Sequence, residues 1–429
     1  MSIKPDHITL FEHQNIRVGQ KQGEVEFTES HRQALEAHYG SGKMVKYFSL
    51  IHRGVQFNEF VGVIQVGNLV IEVLPKADKY EKEAEWKGIL IGMLRAVGVF
   101  DIQAPSSSSL NIKTNFILDL YFGLFVKEVE YLVNEGLAKK YRRIEGNATA
   151  LKGALQFGKH IAQNLVHQER FYIKYTIYDQ NHNLNQILLK TLRLLIQVNQ
   201  NPMLQSRIGS LLLHFPEMPN MKVTEATFDR IHFNRKTERY RNAIEISRLL
   251  LLNYHPDVSK GQNNVLAIMF DMNLLWERFI YLSLRKHNPD NRSISAQTSK
   301  YFWKPKKGNR SSIIPDIVID EKGQETIVLD TKWKNIGSSN PSPDDLRQLY
   351  VYHKYFDAQR VALVYPGNEE DRTGQYYNTD QKSRKDNENM SDDECSVIKI
   401  ETKNNISEWQ KAISHQIFQA WPSLIEKEL

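Results

Sequence analysis

Residues 315–333 admit few folds. Pro315-Asp316-Ile317-Val318-Ile319-Asp320 and Glu325-Thr326-Ile327-Val328-Leu329-Asp330-Thr331-Lys332-Trp333 are β-branched-rich runs on either side of a short polar stretch containing Gly323. That is the pattern of an antiparallel hairpin. A turn around Gly323 sets Asp316 opposite Asp330, with Cβ atoms about 4.5–5.5 Å apart on one face of a sheet. Lys332 lies two residues beyond Asp330, and the strand period of two puts it on the same face. Ile317, Ile319, Ile327, Leu329 and Trp333 take the opposite face and form an apolar core surface.

Two converging carboxylates make a hard-oxygen site suited to Mg²⁺ or Mn²⁺, and a nearby lysine can orient or deprotonate an attacking water. That combination suits hydrolysis of a phosphodiester, with the main-chain carbonyl of Thr331 as a further ligand. The tripeptide acid-x-Lys is weak alone, because it recurs as Glu85-Trp-Lys87, Asp320-Glu-Lys322, Asp380-Gln-Lys382 and Glu401-Thr-Lys403. What separates Asp330-Thr-Lys332 is the Pro-Asp strand in matching register before it. Glu277 has Leu274, Ile280 and Tyr281 at three- and four-residue spacing, so its carboxylate projects from a largely apolar helix face and completes an acidic cluster. Gln348 and Tyr352 are four apart on one helical face, where they can contact phosphate or position the lysine. In the stretch before Asp316, Lys304, Lys306, Lys307 and Arg310 are placed to track a DNA backbone.

The rest of the chain predicts an α+β multidomain protein. Residues 1–110 are expected to form a β-rich domain, whose Phe60–Val66 and Leu69–Leu74 runs meet at Gly67-Asn68, a hairpin turn. Helices follow at about 80–97 and 114–135, with Ser106–Ser109 as a polar connector. Residues 111–255 read as mainly helical and carry two basic segments, Lys139-Lys140-Tyr141-Arg142-Arg143 and Arg235-Lys236-Thr237-Glu238-Arg239-Tyr240-Arg241. Cations mixed with tyrosine suit phosphate binding and base stacking, or else a solvated helix face. Residues 256–429 form an α/β domain: a helix over Met269–Lys286, strands at about 292–303, 312–320 and 325–334, a helix from Asp344 to about Phe356, strands Arg360–Tyr365 and Ser396–Ile400, and a last helix near Ile406–Phe418. The polar stretch 368–394 is expected as a flexible insertion.

Composition excludes several classes. In 429 residues, 41% are hydrophobic and 25% charged, which argues against a disordered or collagen-like chain. The single cysteine forms no internal disulfide or thiolate zinc site, and no apolar run is long enough to span a membrane, so a cytoplasmic protein is expected. The net charge of +6 permits nucleic acid without requiring it. No His-Glu-x-x-His or Gly-x-Ser-x-Gly motif is present. Gly40-Ser41-Gly42-Lys43 is followed by Met44, with Ala37 where a Walker A loop has its first glycine, so no nucleotide-binding loop is expected.

Asp316, Asp330-Thr-Lys332 and Glu277 resemble the PD-(D/E)xK nuclease core, and Gln348 with Tyr352 resembles a Gln-x-x-x-Tyr element of several of its branches. More specifically, most of the chain resembles the McrC family, nuclease subunits of McrBC-type modification-dependent restriction systems. The likeness rests on Phe270-Asp-Met-Asn-Leu-Leu-Trp-Glu277-Arg-Phe279, the Pro-Asp and Asp-Thr-Lys strands, Asp345-Leu-Arg-Gln348-Leu-Tyr-Val-Tyr352, Gly62–Lys76 and Gly136-Leu-Ala-Lys-Lys-Tyr141. The resemblance implies a C-terminal PD-(D/E)xK domain with a central mixed sheet flanked by helices. It also implies a Mg²⁺-dependent endonuclease acting on double-stranded, 5-methylcytosine-type modified DNA, and an N-terminal part that contacts and stimulates an McrB-like AAA+ GTPase ring. Two other readings stand beside it: a non-cleaving adaptor of an AAA+ ring, and a free-standing DNA-repair exonuclease.

Overall fold

The structure is a computed structural model, described for residues 6–22, 25–39, 46–76, 83–98, 117–255, 264–289, 291–321, 325–378 and 389–420. The Gly323 turn, the Ser106–Ser109 connector, the Gly40–Lys43 loop and residues 379–388 lie outside the described residues. The fold is mixed α+β. The chain divides into two compact units, one of residues 1–6, 65–69 and 102–268, the other of 7–64, 70–101 and 269–429. The three domains expected from the sequence are consecutive; these units are interleaved. No described helix is long and apolar enough to cross a membrane.

The first unit has a helical core and one exposed sheet. Helices Ile117–Asn134, Asn183–Val198, Pro202–Leu212 and Arg241–Leu252 pack their apolar faces together. Residues 117–252 are mainly helical, as expected, but they also carry a sheet that the sequence did not show. Lys140–Ala148, Phe171–Asp179 and Ala154–Leu155 form three antiparallel strands, with Tyr141 paired to Tyr178. Lys139–Arg143 therefore enters a strand and lies on no helix. Its strand buries no residue fully, so it lacks the apolar alternation by which a strand declares itself.

Phe60–Val66 and Leu69–Leu74 are strands buried along their length, joined where Gly67 takes a φ of 57°, the positive angle such a hairpin turn needs; residues 65–69 are counted in the first unit and the rest of the hairpin in the second. The main sheet of the second unit has six strands in the order Ser293–Ala296, Ile317–Glu321, Glu325–Thr331, Arg360–Pro366, Met390–Ile400, Arg372–Tyr377. Glu325–Thr331, Arg360–Pro366 and Met390–Ile400 run parallel, and the outer pairings are antiparallel. Helix Pro343–Phe356 makes the parallel crossover. Ser342 caps it, accepting from the Asp345 amide at 3.1 Å, and Asp357 stops it in a left-handed conformation with φ 52°.

That helix covers one sheet face through Leu349, Tyr352 and Phe356 against Val318, Val328, Leu363 and Val397. Ile317, Ile319, Ile327, Leu329 and Trp333 are buried, as the alternation requires. Trp333 packs edge-on against Trp86 and Trp276, and Trp276 meets Trp409 of the last helix, Ile406–Ala420. Within this cluster the Trp333 indole donates to Glu12 at 2.7 Å, and Glu12 also accepts from the Lys76 amide at 2.7 Å. Burial pushes the Glu12 carboxyl up to about 7 against those two hydrogen bonds.

Within the polar stretch 368–394, the described residues are another correction. Arg372–Tyr377 is an ordered edge strand and Met390–Ile400 begins six residues before the expected Ser396. Tyr376 donates to the Leu346 carbonyl at 2.9 Å, fastening the edge to helix Pro343–Phe356. An edge strand is charged and exposed because those features discourage further pairing, and the same features make it look like a loop in sequence.

Candidate active site

The hairpin register brings the acidic residues together. Ile317 pairs with Leu329 and Val318 with Val328, so one further step sets Asp316 across from Asp330, as the spacing predicts. Asp316 sits immediately before its strand, behind the buried Pro315. Its Oδ2 accepts from the Thr331 amide at 2.6 Å and from the Thr331 hydroxyl at 2.9 Å. Thr331 thus fixes one oxygen of Asp316 and leaves the other directed elsewhere. Sequence reasoning considered only the Thr331 carbonyl and missed this side-chain role.

Asp330 is 1% exposed, in the middle of the sheet between Ile317–Glu321 and Arg360–Pro366. Its Oδ1 accepts from Gln348 Nε2 at 3.1 Å. Lys332 Nζ lies 2.8 Å from Oδ2, yet that buried oxygen has no aligned hydrogen-bond donor among the described residues. Burial first, then the neighbouring Asp316 charge, push the Asp330 carboxyl up to about 6, against the pull of Lys332. Burial alone lowers the Lys332 pKa, but the charges of Asp330, Asp316 and Asp345 outweigh it and raise the net value. Lys332 is therefore an ammonium at neutral pH.

Helix Pro343–Phe356 supplies the next shell. Gln348 sends one amide hydrogen to Asp330 and the other to Tyr352 Oη at 2.7 Å, and Tyr352 donates to the Ile314 carbonyl at 3.2 Å. The i, i+4 pair thus tethers the Asp330 strand to the segment that leads into Asp316. Burial pushes the Tyr352 phenol up to about 12, so it acts as a neutral donor.

Glu277 comes from helix Met272–Lys286, which Asp271 caps by accepting from the Asn273 and Leu274 amides at 2.9 and 3.2 Å. Its carboxyl is raised by burial, with the Asp316 and Asp330 charges adding, so it senses both site carboxylates. Gln297, which no sequence signal singled out, donates to Glu277 Oε1 at 2.5 Å, and its amide donates to the Asp316 carbonyl at 3.1 Å. It holds a φ of 54°, a left-handed conformation uncommon for a residue with a side chain. Asp345, paired with Lys334 at 2.8 Å, also contributes charge to Asp330 and Lys332.

Lys304, Lys306, Lys307 and Arg310 are exposed in the loop joining strands Lys300–Trp303 and Ser311–Ile313. They do not contact the carboxylates, but the hairpin leads directly into Ile314 and Asp316. Lys300 donates to the Tyr355 carbonyl at 2.9 Å, and Phe302 packs on Tyr355 at a centroid distance of 5.1 Å, so the hairpin rests on the helix of Gln348 and Tyr352. A register shift between Tyr301 and Trp303 re-aims the aromatic side chains, leaving both exposed.

Chemically, the site offers two carboxylates of different environment, a fixed ammonium and a third acid nearby. Asp316 and Asp330 could hold a hard cation. Among the described residues no group of three His, Cys, Asp or Glu side chains is close enough to form a complete cage, so such an ion would keep water ligands.

A family model described as McrBC 5-methylcytosine restriction system component matches residues 55–366. The chain is similar to the type IV methyl-directed restriction enzyme EcoKMcrBC of Escherichia coli strain K12, at 21% identity over 258 residues, 56% of this chain and 73% of that protein. It is also similar to a chain in the refined half-complex from a tetradecameric assembly of Thermococcus gammatolerans McrB AAA+ hexamers with bound McrC. That match has a TM-score of 0.70 at 20% identity and covers 96% of this chain and all of the other. At that identity it speaks for the fold alone.

Proposed function

Because this chain belongs to the family of McrBC 5-methylcytosine restriction system components, we propose that it is the DNA-cleaving component of such a system, an endonuclease with a PD-(D/E)xK site. One observation carries the reading: Asp330 is a buried carboxylate set beside a second carboxylate and an ammonium. Clustered like charge inside a sheet raises the energy of the fold, and catalysis gives it a use.

Mg²⁺ fits this donor set. It takes oxygen ligands, needs only one or two carboxylates and retains several waters. The Asp330 Oδ2 is buried without an aligned donor, and Thr331 occupies only one oxygen of Asp316. Asp316 and Asp330 would hold the ion, with the Thr331 carbonyl as a further ligand; Mn²⁺ suits the same oxygens. When bound, the ion supplies positive charge that offsets the charge developing on the phosphodiester.

The chain's own groups supply the rest. Gln348 and Thr331 hold the two carboxylates in place, and Tyr352 anchors Gln348. Lys332, as an ammonium, donates hydrogen bonds to the attacking water or a phosphate oxygen and does not take up the proton. Glu277, the third acid nearby, is the acceptor for that proton, its proton affinity raised by burial and by the Asp316 and Asp330 charges. Water attacks phosphorus in line and the bond to the 3′ oxygen breaks, with no covalent enzyme intermediate. The exposed Lys304, Lys306, Lys307 and Arg310 loop guides duplex DNA to these groups. The partner is an McrB-like AAA+ GTPase ring, as the Thermococcus assembly suggests, with this chain stimulating its hydrolysis; the substrate is DNA carrying modified cytosine.

The test incubates purified protein with Mg²⁺ and methylated or unmodified DNA, with and without the AAA+ partner and GTP, against Lys332→Ala and Asp330→Ala. Cleavage that requires the partner and disappears in both variants is expected. Cleavage that survives in both would remove the catalytic assignment, and stimulated GTP hydrolysis without any cleavage would replace the nuclease by an adaptor.

A further inference from the structure

The two basic segments of the first unit lie about a hundred residues apart in the chain, yet they line one cleft of about 1040 Å³. Lys139 and Lys140 enter from the start of the Lys140–Ala148 strand, and Arg230, Arg235 and Lys236 from the connection before helix Arg241–Leu252. Glu135 is the sole acid in the lining, and it is engaged by Arg239. None of the other five cations has an ion-pair partner among the described residues, and all five are exposed. Clustered, unneutralised cations repel one another and destabilise the fold unless an anion joins them.

The cleft is held rigid from beneath. Tyr240 Oη accepts from the Ala138 amide at 2.7 Å and donates to Asn185 Oδ1 at 2.9 Å, while Asn185 Nδ2 donates to the Ala138 and Gln180 carbonyls at 2.9 and 2.8 Å. This buried network locks both basic segments to helix Asn183–Val198. The N-terminus of that helix opens into the cleft at Asn183 and Leu184, with His182 capping it by accepting from the Leu184 amide at 3.1 Å. Burial and the Lys140 charge lower the His182 pKa, which keeps the ring neutral in its capping role. Arg239 braces the rim by donating to the Gly136 carbonyl at 2.6 Å. On one wall Tyr178 is exposed and packs tilted against Tyr141, with centroids 4.5 Å apart and the rings at 33°.

We propose that this cleft is a nucleotide-phosphate site, in which Lys139, Lys140, Arg230, Arg235 and Lys236 bind phosphates and the Tyr178–Tyr141 pair offers a face for a base. Two sources carry that chemistry: a DNA strand and a free nucleoside triphosphate. Base stacking on tyrosine beside a cationic track is the usual way a single strand is held without sequence preference. The site is independent of the nuclease reading, because it needs neither cleavage nor the carboxylates.

The experiment uses the full chain in EDTA, so that nothing is cut. Fluorescence anisotropy follows a labelled oligothymidylate, and equilibrium dialysis follows GTP, for wild type and for the triple variant Lys140→Ala, Arg235→Ala, Lys236→Ala. Each single-strand phosphate contact contributes about 0.7 to the salt slope, so three lost contacts reduce the slope by about 2 and binding at about 0.1 M salt by about a hundredfold relative to 1 M. The slope change is read whatever the Lys304–Arg310 loop binds, since such contributions add. Substituting arginine for Lys140 and Lys236 should restore binding, which a merely misfolded variant would not explain. Loss of oligonucleotide binding identifies a DNA strand as the occupant, and loss of GTP binding alone identifies a free nucleotide. Unchanged slope and unchanged GTP binding in the triple variant would overturn the proposal.

Discussion

Asp330→Asn should make the metal-free protein more stable while abolishing cleavage. In the fold the Asp330 carboxyl moves from its ordinary 3.8 to about 6, so the ionised form costs about 3 kcal/mol relative to the unfolded chain. That figure already sets the attraction of Lys332 against burial and the repulsion of Asp316. Asparagine keeps an oxygen for Gln348 but brings an amide with no evident acceptor, which costs about 1–2 kcal/mol. A net gain of about 1–2 kcal/mol remains, or about 3–6 °C in melting temperature for a unit of this size. Because the folded pKa lies above the unfolded one, the native-state cost is absent below about pH 4, grows between pH 4 and 6, and is complete above. The advantage of the variant should follow that curve. Glu12 and Glu277 shift in the same direction but are common to both proteins and cancel in the difference. Calorimetry in EDTA from pH 4 to 8 measures it, and an advantage that is missing at pH 8, or equally large at pH 4, would refute the reasoning. Adding Mg²⁺ should raise the melting temperature of the wild type and leave that of the variant nearly unmoved, since ligand binding stabilises only the state that binds.

Further outcomes are expected. Gln348→Leu frees both Asp330 and Tyr352, and single-turnover cleavage should fall about 10–100-fold with partner assembly retained; an unchanged rate would show that Gln348 only fills space. Thr331→Val removes the hydroxyl donor to Asp316 but keeps the amide, so the Mg²⁺ concentration for half-maximal cleavage should rise about fivefold, the equivalent of about 1 kcal/mol. Replacing Lys304, Lys306, Lys307 and Arg310 together by alanine should lower the salt slope of duplex binding by about 3–4, with folding unaffected; an unaltered slope would move the DNA path elsewhere.

The register of the 317–331 hairpin was legible because apolar residues on one face leave a single alignment that buries them, and Asp316 then follows Asp330 without further assumption. Helix Pro343–Phe356 was legible from a proline and acidic residues at its start and a regular apolar stripe. Gln297 was not, because its role depends on a left-handed turn that brings it back to Glu277, twenty residues earlier, and glutamine carries no preference for such a turn. Thr331 is a common strand residue, so its bond to Asp316 leaves no mark in composition. The Lys140–Ala148 and Arg372–Tyr377 strands escaped for one reason: strands without a buried face lack the alternation that marks the others. For the same reason the convergence of the two basic segments on one cleft could not be read from their spacing.

The bond between Trp333 and Glu12 joins positions 321 residues apart and bears on how this protein can be divided. The residue after Lys332 completes its hydrogen bonding only through the first tenth of the chain, and Trp86 closes the same cluster. A gene fragment starting at residue 256 would encode every carboxylate of the site, yet it would leave the Trp333 indole N–H facing an apolar hole where Glu12 and Trp86 belong. The unit that holds these carboxylates is therefore discontinuous in the gene. Any truncation, domain swap or split-protein design intended to isolate it has to carry the opening hundred residues along.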